Sequence, residues 1–108
     1  MASGTIVPKP AILVQTINTT PIWQTNPSTS PVTVSGGGVA YANITALVPD
    51  GYVLVGATVL SNINSGEDNM SWLTATVNKN YVFLRNNRSS GDNVVTNCTV
   101  KLVFIKEV

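Results

Sequence analysis

The feature that most constrains this chain is the spacing of its apolar residues, which follows the period of a β-strand rather than that of a helix. Val, Ile and Thr dominate the apolar segments, and Gly, Pro, Asn or Ser interrupts them roughly every ten residues. No long segment keeps apolar residues at i, i+3, i+4 and i+7. Because β-branched side chains favour an extended backbone, the pattern predicts an all-β fold. The predicted strands are 11–18, 31–35, 39–46, 51–62, 69–77, 81–86 and 94–105, with a short extended piece at 22–25.

This number of short strands in 108 residues is typical of an antiparallel β-sandwich, and we expect a jelly-roll-like arrangement. We assign residues 31–108 to the sandwich domain and residues 1–30 to an extended N-terminal connection. Residues 19–31 contain three prolines, which cannot donate the hydrogen bonds of a central strand. Trp23 in this stretch is expected to anchor it to the domain or to a neighbouring chain.

Glycines mark the expected turns and irregularities. The run Gly36–Gly38 predicts a hairpin turn or a bulge, since glycine accepts positive φ without steric cost. Gly56 predicts a bulge or a close packing point within a long strand. Pro49 and Gly51 together predict a type II turn that leads into the strand at Tyr52.

The last predicted strand has two different faces. Cys98, Val100, Leu102 and Phe104 alternate onto one face, and Thr99, Lys101, Val103 and Ile105 onto the other. The second face is polar at its beginning and apolar at its end. We therefore expect another strand, sheet or subunit to cover the apolar end.

Charged residues are scarce in this chain. They make up 10% of it, against about 25% in an ordinary soluble domain, and residues 10–49 contain none. A surface with so little charge does little to keep copies apart, so we expect self-association. The chain also has no Lys/Arg cluster for phosphates and no apolar run near the ~20 residues of a membrane helix. We therefore expect neither nucleic acid binding nor membrane insertion.

The sequence carries no signature of catalysis, metal binding or a cofactor. It has no histidine, and its single cysteine, Cys98, lies in a strand-like pattern that predicts a small buried hydrophobe. Residues 62–69 carry several oxygen ligands, but their carboxylates follow the glycine, so the match to a calcium loop is poor. We predict a non-catalytic protein with no metal and no cofactor.

Binding is expected in two polar loops, residues 62–69 and 86–93, since loops at the ends of β-sandwiches commonly form binding surfaces. Planar polar side chains beside an aromatic ring suit a saccharide, whose ring has both hydroxyl groups and apolar C–H faces. The alternative is that Trp72 packs in the core and the loops are only solvated. The predicted ligand-binding residues are Asn64, Asp68, Asn69, Trp72, Arg85, Arg88 and Asp92.

The stretch ALVPDGYVLVGATVLSN resembles a sequence motif found in the C-terminal head domains of bacteriophage tail fibres and receptor-binding proteins. The matching positions are Val48, Pro49, Gly51, Tyr52, Val55 and Gly56. The strand that follows this motif in the family resembles YVFLRNN, residues 81–87, and the closing strand resembles VTNCTVKLVFI. The resemblance therefore spans about residues 39–105.

The resemblance implies a homotrimeric head in the virion that binds a host-surface saccharide or a teichoic-acid-like ligand. Such a protein is made in the bacterial cytoplasm without a signal peptide, and the first residues here lack the basic and apolar regions of one. No ligand-binding residue is carried over from the family. Because little precedes residue 31, we expect an excised head or a small standalone virion protein.

Three hypotheses about function follow. The first is a tail-fibre head that recognises a host cell-surface glycan and assembles with other virion proteins. The second is a structural virion protein: a capsid decoration, a head fibre or a tail assembly component. The third is a bacterial carbohydrate-binding module or adhesin domain, which would be monomeric.

Overall fold

The computed structural model describes residues 12–64, 67–68 and 72–107, and these form β-strands joined by turns, with a 3-10 turn at Thr45–Leu47. The strands are β1 (Ile12–Thr19), β2 (Thr33–Val34), β3 (Val39–Asn43), β4 (Tyr52–Asn64), β5 (Glu67–Asp68), β6 (Leu73–Asn78), β7 (Tyr81–Asn86), β8 (Asn93–Val94) and β9 (Cys98–Glu107). The predicted all-β fold is confirmed. A jelly-roll-like arrangement and a trimer remain predictions.

The strands pair into three antiparallel sheets. The first has four strands in the order β1-β9-β4-β5, the second pairs β2 with β8, and the third has three strands in the order β3-β7-β6. β1 falls within the predicted N-terminal connection, but it pairs with β9 along its whole length, from Ile12 opposite Glu107 to Thr19 opposite Val100.

The core lies between the four-stranded and the three-stranded sheet, because both contribute alternate side chains to it. From β9 come Cys98, Val100, Leu102 and Phe104, each fully buried, as the alternation of the last strand predicts. From β3 and β7 come Ala40, Ala42, Val82 and Leu84. At about 25 cal/mol for each Å² of apolar surface removed from water, these side chains supply the main drive for folding.

Trp23 anchors the proline-rich stretch to this core. Its side chain is 2% exposed, and its indole Nε1 donates a hydrogen bond to the backbone oxygen of Cys98 at 2.9 Å. Its neighbour Gln24 forms one isolated antiparallel bridge with Tyr41, where a short extended piece is predicted. The prediction that Trp23 attaches this stretch to the domain is confirmed.

Turns and bulges fall where glycine permits them. Tyr52 N donates to Pro49 O at 3.0 Å around Gly51, whose φ is +80°, so the predicted turn before the long strand is present. The β4–β9 register shifts between Leu54 and Gly56, which confirms the predicted bulge. The glycines at 36–38 also make a turn, but it joins β2 to β3, which belong to different sheets, so it is not a hairpin.

The last predicted strand is in fact two strands. A turn in which Cys98 N donates to Val95 O at 3.0 Å separates β8 from β9, and the two strands enter different sheets. Val95 is also fully buried, but it lies three residues before Cys98, so the two-residue alternation is interrupted at this turn. The prediction of one continuous strand over residues 94–105 is therefore wrong at this point.

The outer face of the four-stranded sheet has an apolar end, as predicted. Ile105 lies there between Val14 and Val53, its neighbours across β1 and β4. Val14 is 64% exposed and Val53 is 51% exposed. A covering subunit at this end remains a prediction.

Candidate functional site

The predicted ligand-binding residues separate into two groups in the structure. Trp72, Arg85 and Arg88 lie on or beside the three-stranded sheet, whereas Asn64 and Asp68 lie in the paired ends of β4 and β5 in the four-stranded sheet. The exposed Asp92 lies in the loop between β7 and β8, and Asn69 falls outside the described residues.

Trp72 and Arg88 come together at the end of the three-stranded sheet. The guanidinium carbon of Arg88 lies 5.7 Å from the centroid of the indole ring, and Trp72 is 45% exposed. Such a cation–π contact at a partly exposed site is worth about 0.5–1 kcal/mol. The alternative that Trp72 packs in the core does not hold in this structure.

Two asparagines hold this pair in place. Asn87 N and Asn87 Nδ2 both donate to Trp72 O, at 2.8 and 3.2 Å, and Asn87 Nδ2 also donates to Thr74 Oγ1 at 2.9 Å. The fully buried Asn86 accepts a hydrogen bond from Arg88 N through Oδ1 at 3.1 Å. These hydrogen bonds therefore fix the backbone position at the start of the loop that carries Arg88.

Two glycines let this loop pack closely. A Cβ on Gly36 would lie 2.9 Å from Arg88 O, and one on Gly91 would lie 3.0 Å from Arg88 Cζ. Gly91 also has a φ of +100°, which a side chain rarely adopts. The position of Arg88 consequently depends on the absence of side chains at both glycines.

Three aromatic rings lie on the outer face of the same sheet, and the sequence prediction missed them. Phe83 of β7 lies directly opposite Tyr41 of β3, and Tyr81 lies two residues before Phe83 on the same face. The Tyr81 and Phe83 rings are stacked with centroids 6.2 Å apart, and the Tyr41 and Tyr81 centroids lie 6.4 Å apart. We call Tyr41, Tyr81 and Phe83 the aromatic face. Tyr81 is 38% exposed, and the other two rings are partly exposed.

Amide and hydroxyl side chains surround the aromatic face. The strand register places Asn43 and Asn78 opposite Tyr81, and Thr76 opposite Phe83. Gln24, through its bridge to Tyr41, extends this row beyond β3. These groups all carry hydrogen-bond donors and acceptors that require no ionisation.

The aromatic face and the Trp72–Arg88 pair belong to one continuous surface. Along β7 the outward residues are Tyr81, Phe83 and Arg85, followed by Asn87 at the strand end, with roughly 7 Å between successive ones. Arg85 is exposed and lies between Val39 and Thr74 in its row. The surface thus has aromatic rings at both ends and a cation in the middle.

A cleft of about 270 Å³ with a mixed polar and apolar lining opens beside this surface. It lies between the proline-rich stretch and the turn before β3, and Val39 contributes both to its wall and to the outer face of the sheet. The polar side chains that line it are those of Thr25, Asn26, Thr29, Thr33 and Ser35.

The described residues contain neither a reactive thiol nor a metal-binding cluster. Burial raises the pKa of the Cys98 thiol to about 12, so this group stays protonated at neutral pH and is a poor nucleophile. Within residues 12–64, 67–68 and 72–107, no group of three Cys, Asp or Glu side chains could hold a metal ion. No helix in this part of the chain has the length and hydropathy to cross a membrane.

The signal for the aromatic face was present in the sequence but incomplete. Tyr81 and Phe83 alternate with Val82 and Leu84, which predicts that both rings share one face of a strand. The sequence does not give the pairing of β7 with β3, which brings Tyr41 next to them. No protein-family model, curated protein or solved structure matches this chain.

Proposed function

We propose that this chain is a non-catalytic saccharide-recognition domain, the head of a bacteriophage tail fibre or receptor-binding protein that attaches the virion to a glycan on the host cell surface. The aromatic face and its flanking amides carry this proposal. The apolar C–H faces of sugar rings pack on exposed aromatic rings, while hydroxyl groups exchange hydrogen bonds with neutral amides. A set of three exposed or partly exposed rings bordered by Asn and Gln is suited to both contacts at once.

The shape of the surface favours an extended saccharide over a single sugar. The rings of Tyr81 and Trp72 lie near opposite ends of β7, which is 6 residues long. An oligosaccharide lying along the strand could contact both ends, with the 270 Å³ cleft available to a substituent. This cleft lies just below the usual size range of small-molecule pockets, about 300–1,000 Å³.

The location in a virion and the homotrimer are also parts of the proposal. The resemblance to tail-fibre heads supports the first. The exposed Val14 and Val53, beside Ile105 on the outer face of the four-stranded sheet, support an interface between subunits. The scarcity of charge supports it too, since few like charges oppose the approach of another copy.

The test is a glycan array that includes polysaccharides from bacterial envelopes, followed by affinity measurements on the ligands that bind. Tyr81→Ala should weaken binding by about 1–2 kcal/mol, or roughly five- to thirty-fold, because one stacking ring is lost. Leu60→Ala is the matched control, because it truncates an apolar side chain of similar exposure that lies in β4 on the other sheet, away from Val14 and Val53. Absence of binding to any envelope glycan, or an equal loss in both variants, would contradict the proposal.

A carbohydrate-binding module or adhesin domain would use the same surface, so binding alone does not distinguish it from a tail-fibre head. The solution mass does. Light scattering should give three times the 11.4 kDa chain mass for the proposed trimer, whereas a monomer would favour the module or adhesin.

A further inference from the structure

The surface proposed for saccharide binding has a positive charge, and the described residues of its outward face include no acidic side chain. Arg85 is exposed in the row between Val39 and Thr74, and Arg88 lies over Trp72 at the end of the same face. The residues that share the outward side of β3, β6 and β7 are otherwise Asn, Thr, Val and aromatic residues. An exposed Lys79 follows in the turn between β6 and β7, near Tyr81.

Neither arginine is neutralised within the described part of the chain. Arg85 and Arg88 have no ion pair there, and the exposed Asp92, although in the same loop as Arg88, bonds to neither. An exposed guanidinium beside apolar and neutral polar groups can offer a planar pair of donors to a carboxylate or a phosphate. Arg85 is free to do so.

On this basis we infer that the saccharide is anionic and that Arg85 binds its negative group. This inference rests on the proposed function and narrows its ligand class to polysaccharides with a carboxylate or phosphodiester in the chain. The sugar rings on either side of that group pack on Phe83 and Tyr81 in one direction and on Trp72 in the other. The charged group lies between the two aromatic regions because Arg85 does.

The array for this test contains three sets of bacterial polysaccharides: neutral, carboxylate-bearing and phosphodiester-linked. Binding concentrated in either anionic set supports the inference, and the set that binds identifies the group. For the tightest ligand, affinity is then measured for the unmodified chain and for Arg85→Gln, Arg85→Lys and Lys101→Gln. Lys101→Gln removes the same charge from the opposite sheet, where Lys101 lies between Thr58 and Asn18.

Arg85→Gln should reduce affinity about tenfold or more, because a charge-assisted hydrogen bond is lost. Arg85→Lys should recover part of that loss, since it restores the charge without the planar fork. Lys101→Gln should change affinity by no more than about twofold, because the charge is distant and screened. Raising ionic strength from about 0.05 to about 0.5 M shortens the screening length roughly threefold and should weaken the unmodified chain more than Arg85→Gln.

Two results would overturn the inference in different ways. If neutral polysaccharides bind as tightly as anionic ones, and Tyr81→Ala weakens them while Arg85→Gln does not, the ligand is a neutral saccharide and the proposed function stands. If Arg85→Gln and Lys101→Gln weaken binding equally, the effect is one of net charge and Arg85 is not a ligand residue. Failure of every polysaccharide to bind contradicts the proposed function itself.

Discussion

Asn86 and Asn93 allow a direct comparison of two buried asparagines in one small domain. Both are fully buried. Asn86 Nδ2 donates to Val34 O at 3.0 Å and to Gly91 O at 3.1 Å, and its Oδ1 accepts from Arg88 N at 3.1 Å. The side-chain nitrogen and oxygen of Asn93, in contrast, are buried with no partner. Replacing each by Leu, which has the same number of side-chain heavy atoms, should therefore affect stability differently.

Asn86→Leu should destabilise the domain by about 2–4 kcal/mol. It removes three hydrogen bonds worth about 0.5–1.5 kcal/mol each and leaves buried backbone groups unpaired, while the added apolar surface offsets part of the loss. Asn93→Leu should be neutral or should stabilise by up to about 2 kcal/mol, because burying an amide without partners costs about 1–3 kcal/mol. Marginal stability of about 5–15 kcal/mol makes both effects measurable.

The assay is urea unfolding followed by tryptophan fluorescence. With an m-value near 1–1.5 kcal/mol/M, Asn86→Leu should lower the midpoint by about 2 M, and Asn93→Leu should leave it unchanged or raise it. The m-value should stay constant, which shows that the change is in stability and not in the compactness of either state. If Asn93→Leu destabilises as much as Asn86→Leu, Asn93 has hydrogen-bond partners such as buried water, and the reasoning is refuted.

Further predictions concern Gly36, Cys98 and Val53. Gly36→Ala should lower the unfolding free energy by about 2 kcal/mol or more and weaken saccharide binding, because the new Cβ would lie 2.9 Å from Arg88 O. Gly37→Ala should lower it by only about 1 kcal/mol, because its φ is +79° but nothing lies within 4 Å of the new Cβ. Urea midpoints and binding affinities check both variants. The Cys98 thiol, whose pKa burial raises to about 12, should not react with a thiol reagent at pH 8 unless the domain unfolds. In the unfolded chain the Cys98 thiol ionises at lower pH than in the folded domain. The free energy of unfolding should therefore fall by about 1.4 kcal/mol per pH unit as pH rises from about 9 towards 12. Cys98→Ala should lack this contribution. Val53→Lys, on the exposed apolar end of the four-stranded sheet, should lower the solution mass towards that of the monomer, as measured by light scattering. Circular dichroism should show that the chain stays folded. An unchanged oligomer would place the interface elsewhere.

Much of the fold was accessible from local pattern. The alternation of Cys98, Val100, Leu102 and Phe104 predicts one buried face, and all four side chains are buried. The turn at Gly51 and the bulge near Gly56 were also predicted, because each depends on what one residue permits locally. The break between β8 and β9 was not predicted, because apolar residues occur on both sides of the turn, although the three-residue spacing of the buried Val95 and Cys98 departs from strand alternation.

The candidate site was less accessible. The prediction chose polar loops and named Trp72, Arg85 and Arg88, which lie on or beside one sheet face. It grouped them with Asn64 and Asp68, which belong to a different sheet. Loop composition identifies solvated segments but carries no information about which loops lie side by side.

By itself, then, the sequence determined that the chain is all-β, which side of the last strand is buried, and where glycine allows the backbone to turn. These properties depend on residues close together in the chain, and they can be inferred from local residue types and the two-residue period of a strand. The pairing of distant strands was decided only in the tertiary structure. That pairing places Tyr41 opposite Phe83, and the core contacts of Trp23 and Asn86 likewise join residues far apart in sequence. A shift of register by one residue would have turned the aromatic rings into the core and the small residues outward, and only the combined packing of both sheets excludes it.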